Sequence, residues 1–111
     1  MEKVEKYRES VLALITRYAS EDNASQDVDV ELVVDVQNDH YQWLNVGWEG
    51  LNRAYRCIVH LDIKDGKVWL QQNLTDRNPA EELVDLGVAR EDIVLGLHPP
   101  YKRPYTDYGI A

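Results

Sequence analysis

The stretch IVHLDIK holds the side chains most capable of chemistry, His60 and Asp62. Residues at i and i+2 of a strand point the same way, so with His40 or His98 this pair makes a candidate metal site of imidazole and carboxylate ligands. No spacing fixes the third ligand. The ordinary alternative is a histidine hydrogen-bonded to a neighbouring carboxylate, and the sequence by itself favours that reading, with no metal and no cofactor. Asp62-Ile63-Lys64 also reads as the acid-x-lysine half of a Mg2+-dependent nuclease site, with Asp35 as the second acid. Against this, Lys64 adjoins the Asp65-Gly66 turn, where lysine is a common solubilising flank, and the charge of the chain repels DNA. Period-two counting puts Cys57 on the strand face opposite His60, which separates thiol from base and leaves an inert buried thiol. Asp27, Asp29, Glu31, Asp35 and Asp39 form an alternating acidic run without the spacing of an EF-hand loop, suited to a solvated face or a basic partner. No catalytic residue emerges from these patterns.

The 12 basic and 20 acidic residues give a net charge of -8 and a pI near 4.7. Affinity for nucleic acid rests on clustered Lys and Arg that displace counterions, so direct DNA binding is disfavoured. A length of 111 residues suits a single domain, 1–111, and 44% hydrophobic residues can fill one core without staples. One cysteine permits no internal disulfide, the N-terminus has no apolar signal core, and no apolar run is long enough to span a membrane. The expectation is a soluble, cytoplasmic protein.

These residues need elements to hold them. Val4, Tyr7, Val11, Leu12, Ile15 and Tyr18 recur at helical spacing from Glu2 to about Ala19, and a polar linker follows to about Asp27. Alternation from Val28 to Val36 marks a strand, and QNDH turns it into a second strand, Tyr41 to Glu49. A third strand runs from Arg53 to Lys64, and Asp65-Gly66 closes a tight hairpin into a fourth, Lys67 to Asn73. Asn78-Pro79, with Glu81 three residues after the cap, opens a short helix that ends before Gly87. REDIVLGLH is ambiguous between a helical turn and a short extended segment. The fold class is α+β: an N-terminal helix, a four-stranded antiparallel sheet, one or more short C-terminal helices and an extended proline-rich tail.

The same counting divides the sheet into two faces. Val28, Val30, Leu32, Val34, Val36, Leu44, Val46, Trp48, Cys57, Val59, Leu61, Ile63, Val68 and Leu70 are expected in the core. Tyr41, Trp43, Arg56, His60, Asp62, Trp69 and Gln71 fall on the other face, where aromatic and arginine side chains suggest partner docking or a covering segment of the chain. The tail candidate is His98, Pro99, Pro100, Tyr101, Lys102 and Arg103. Its prolines give neither PxxP nor PPxY spacing, so an ordered strap against the domain is expected rather than a free peptide.

In order and spacing, DHYQWLNVGWEG, CIVHLDIKDGKVWLQQN and ELVDLGVAREDIVLGLHPPYKRPYT resemble the XisI family, the cyanobacterial fdxN element excision controlling factors. Ala89 and Leu97 depart from the proline and phenylalanine expected of the family. The resemblance implies an accessory, non-catalytic role in site-specific recombination of a DNA element during heterocyst development. It also implies an XisH-like companion protein beside a recombinase, with DNA contacted only indirectly; a homodimer stays open. It assigns no catalytic residue. The acidic chain is compatible, too, with an antitoxin-like inhibitor of a nuclease-like companion.

Overall fold

Alternating strands followed by short helical segments fold, in a computed structural model that describes residues 2–110, as one antiparallel-rich sheet with helices on one face. The helix α1 spans Glu2–Ser20, followed by strands β1 (Val28–Asp35), β2 (His40–Glu49), β3 (Asn52–Lys64) and β4 (Lys67–Asn73). Helix α2 (Pro79–Asp85), a 3-10 turn at Arg90–Asp92, strand β5 (Ile93–Val94) and a second 3-10 turn at Pro100–Tyr105 complete the chain. The strand order is β1-β2-β3-β4-β5. The sheet thus has five strands where four were expected. REDIVLGLH supplies both of its alternatives, a 3-10 turn and then a two-residue strand parallel to β4.

The stripe of α1 buries Tyr7, Val11, Leu14, Ile15 and Tyr18 against the sheet. Each such side chain contributes about 1.5–3 kcal/mol on full burial. The polar tips are also satisfied: Tyr7 donates to Asp92 at 2.6 Å, and Tyr18 donates to Glu82 at 2.7 Å. On the other flank Arg8 grips Asp39 through Nε at 2.7 Å and Nη2 at 3.0 Å. The helix is therefore tied both to the C-terminal segments and to the turn between β1 and β2. At the β3–β4 hairpin, Asp65 (φ 55°) and Gly66 (φ 76°) adopt the pair of left-handed conformations that the Asp-Gly sequence predicts.

The face assignment is corrected at three places. Tyr41 pairs with Leu61 and Trp43 with Val59, so both aromatics lie under α1, at 0% and 7% exposure, and not on the outer face. Their rings bury more apolar area than Leu44 or Val46 would. Their polar atoms find Asp39, at 2.9 Å from Tyr41 Oη, and Asp22, at 3.0 Å from Trp43 Nε1. Asn45 joins them in the core because Asp22 accepts from its amide at 2.8 Å.

A bulge in β3, where Ile58 is the extra residue between the Trp43–Val59 and Leu44–Cys57 pairs, moves Cys57 to the outer face that His60 occupies. Its thiol hydrogen-bonds to the Val59 carbonyl, and burial pushes its pKa up. Lastly, β1 lies at the sheet edge, where only Val28 is buried; Val30, Leu32, Val34 and Val36, expected in the core, are each more than a third exposed.

The tail is ordered but not extended. Pro100–Tyr105 coils into 3-10 turns, Arg103 lies 5.2 Å from the centre of the Trp69 ring and donates from Nε to the His98 carbonyl, and Tyr108 hydrogen-bonds to Glu81. Gly109 donates to the Ile93 carbonyl at 2.7 Å and bridges alongside Val94. No helix among the described residues is long and apolar enough to cross a membrane.

Candidate functional site

His40 opens β2 directly after Asp39, whose backbone is left-handed at φ 61° and whose carboxylate is held by Arg8. Strand pairing then sets His40 opposite Asp62, and Gln42 opposite His60, on the outer face of the sheet. With His60 and Asp62 two residues apart on β3, three chemically capable side chains converge. Asp62 Oδ1 lies 2.8 Å from His40 Nδ1 and 2.8 Å from His60 Nε2. A carboxylate only accepts, so both ring nitrogens carry protons here. The three ligand atoms lie within 4.8 Å of one another.

A second bulge completes the cluster. Between the His60–Gln72 and Leu61–Leu70 pairs, β4 carries Gln71 as its extra residue, and the Gln71 amide donates to Asp62 Oδ2 at 3.2 Å. The Gln42 amide lies 3.5 Å from His60 Nδ1, the ring atom turned away from Asp62. Gln42 is absent from the sequence-derived face. Its signal was the i+2 spacing from His40, readable only with the correct parity of β2.

The electrostatics follow from these contacts. The hydrogen bond to Asp62 raises the pKa of His40, with desolvation opposing. Burial pushes the Asp62 carboxyl up, but hydrogen bonds from His40, His60 and Gln71 act against it, leaving the pKa below the ordinary carboxylate value. His40 is more than half exposed, whereas the side chain of Asp62 is 13% exposed, so the cluster has a shielded base and an open mouth. No pocket adjoins it among the described residues.

Of the remaining face residues, Trp69 sits directly across from Asp62, with Lys64 Nζ 4.1 Å and Arg103 5.2 Å from its ring centre. Its Nε1 is buried with no hydrogen-bond partner among the described residues. Arg56 pairs with Asn45 on the helical side, exposed and 3.8 Å from Glu49, away from the histidines. Tyr41 and Trp43 belong to the core. His98 does not join the cluster. In the tail Tyr101 and Lys102 are exposed, and Pro99 and Pro100 shape the turn that brings Arg103 to Trp69.

The nuclease arrangement is not assembled. Asp62 is held by two imidazoles, Lys64 is drawn onto Trp69, and Asp35 accepts from the side chain and backbone of Asn38.

One further feature lies on the same sheet. Strand β1 has β2 on one side and an open edge on the other. It exposes Val30, Leu32, Val33 and Val34 together with Asp29 and Glu31, and neither acid has an ion-pair partner among the described residues.

Comparison with known proteins gives a consistent result. The sequence model of the family described as XisI protein matches residues 1–110. The crystal structure of a XisI-like protein from Anabaena variabilis superposes with a TM-score of 0.93 at 70% identity, covering 96% of this chain and 97% of that one. The fdxN element excision controlling factor XisI from Anabaena variabilis superposes with a TM-score of 0.88 at 35% identity, covering 98% and 99%. No curated protein matches the chain.

Proposed function

This chain belongs to the XisI family, and we propose that it is a non-catalytic, cytoplasmic accessory protein that acts on DNA rearrangement through a protein partner, an XisH-like companion. The observation that carries the reading is the edge of β1. Along this eight-residue strand, alternate residues turn unpaired backbone groups to the open side beside exposed valines and leucine, and such edges are normally blunted or occupied. Lys64 lies over the Trp69 ring and Asp35 is held by Asn38, so the lysine and the second acid of a nuclease set are both engaged elsewhere, which supports a regulatory role over an enzymatic one.

Charge selects the occupant. If two copies paired antiparallel about Leu32, Asp29 would oppose Asp35; about Val33, Glu31 would oppose Asp35; about Glu31, that residue would oppose itself. Like charges directly across strands are destabilising, so β1 is poorly matched to itself. A companion strand that alternates basic with apolar residues fits both faces of the edge. The same acidic edge also favours a second reading, in which the companion is nuclease-like and this chain neutralises it. Growth impairment by the companion alone, relieved by co-expression, would distinguish inhibition from simple assembly.

The test is co-purification with an XisH-like companion protein. Wild-type protein should be retained, whereas Leu32→Lys and Val34→Lys, both at sites already more than a third exposed, should fold and lose retention. Retention unchanged in both variants would remove β1 from the proposal. No retention of the wild type would remove the companion.

A further inference from the structure

The valines and leucine of β1 concern a macromolecular partner; the cluster on the outer face concerns a smaller one. We infer that His40, His60 and Asp62 form a mononuclear site for a borderline divalent transition-metal ion such as Zn2+, with His40 Nδ1, His60 Nε2 and Asp62 Oδ1 as ligand atoms and a water or an external donor completing the shell.

Geometry carries the inference. Around a tetrahedral Zn2+ with bonds of about 2.0–2.2 Å, donor atoms sit about 3.3 Å apart. Both imidazole nitrogens lie 2.8 Å from the same carboxylate oxygen, so outward adjustments of about half an ångström open the space between them. His40 is exposed enough to make that movement. His60 and Asp62 are fixed on β3, between β2 and β4, and supply a rigid half of the site. Hydrogen bonding alone needs only one histidine for Asp62, since Gln71 already serves its other oxygen. Two imidazoles converging on one oxygen is the arrangement ligands take when protons occupy the position of an ion.

Two nitrogens and one oxygen suit Zn2+, Ni2+, Co2+ or Cu2+ and do not suit Mg2+ or Ca2+, which take oxygen shells. Ligands also need outer partners that fix their orientation. Gln71 fixes Asp62, and Gln42 stands beside His60 Nδ1. On metal binding each neutral imidazole keeps one proton but moves it to the other ring nitrogen: His60 becomes protonated at Nδ1. Rotation of the Gln42 amide then presents its oxygen as acceptor.

Untagged protein, stripped with a chelator, is titrated with ZnCl2 in competition with a chromogenic chelator. Imidazole tautomers are followed by nitrogen NMR. The expected result is one Zn2+ per chain, a shift of His60 from the Nε2–H to the Nδ1–H form, and at least about ten-fold weaker binding in Asp62→Asn, His60→Ala and His40→Ala. His40 is the safeguard, because its exposed ring can be removed without disturbing the core. Zn2+ binding of equal strength in His40→Ala, or no uptake by the wild type, would overturn the inference. So would uptake that leaves both tautomers unchanged.

Discussion

Replacing Asp39 by asparagine should unfasten the clamp between α1 and the turn that launches β2. Asp39 accepts from Arg8 Nε at 2.7 Å, from Arg8 Nη2 at 3.0 Å and from Tyr41 Oη at 2.9 Å, with its side chain 13% exposed. Asparagine has the same size and tolerates the left-handed backbone at φ 61°, so the substitution isolates the charge. Hydrogen bonds to charged groups contribute about 1.5–3 kcal/mol, and the partial exposure of Arg8 places the loss near the lower part of that range, about 2 kcal/mol at neutral pH. With a urea slope of about 1–3 kcal/mol per molar, the midpoint should fall by roughly 1 M.

The pH dependence has a definite sign. The hydrogen bond from Arg8 holds the Asp39 carboxyl below its ordinary value; desolvation opposes this and Tyr41 assists it. A depressed folded pKa contributes stability that is complete above the unfolded value near 3.9 and is lost as pH falls through the folded value. Urea unfolding followed by tryptophan fluorescence should therefore show a gap between wild type and Asp39→Asn that is constant near neutrality and narrows as pH falls below about 4. A gap below about 0.5 kcal/mol at neutral pH, or one that persists undiminished in acid, would refute the clamp.

Trp43→Ala should cost about 3–5 kcal/mol in chemical denaturation, because it empties a core site and removes one of the two hydrogen bonds to Asp22, so reduced partner binding in this variant would report unfolding. Gly47→Ala should lower stability by about 1–3 kcal/mol in thermal unfolding: the added Cβ would meet the Asp27 carbonyl oxygen at 2.1 Å and Val28 Cα at 2.8 Å, both backbone atoms. Cys57 should react with a thiol reagent several-fold more slowly in the native protein than in urea, since burial raises its pKa. Arg103→Ala should loosen the tail, seen as faster hydrogen exchange at the Gly109 amide with α1 unaffected, because only the Trp69 and His98 contacts are lost.

Most element boundaries were legible because their signals are local. The stripe of α1, the Asp65-Gly66 hairpin and the Asn78-Pro79 start of α2 depend on neighbours within a few residues, and all appear where the sequence places them. Which face of β2 is buried was not legible, because alternation specifies two faces but not their order. The order is decided by Asp22 and Asp39, which let Trp43 and Tyr41 enter the core with their polar atoms satisfied. Nor does period-two counting survive an extra residue. The bulge at Ile58 moved Cys57 to the other face, and the bulge at Gln71 aimed that amide at Asp62.

The convergence of His40 with His60 and Asp62 is legible only in part for a related reason. The i+2 pair on β3 follows from strand geometry alone, whereas the third member depends on how β2 registers against β3. That register is fixed at the turn, where the Arg8 clamp on Asp39 holds the first residue of β2 in place. A one-residue slip would send His40 to the helical side and bring Tyr41 out to water, abandoning the burial of both core aromatics. The packing of Tyr41 and Trp43 under α1 is thus also what delivers His40 to Asp62.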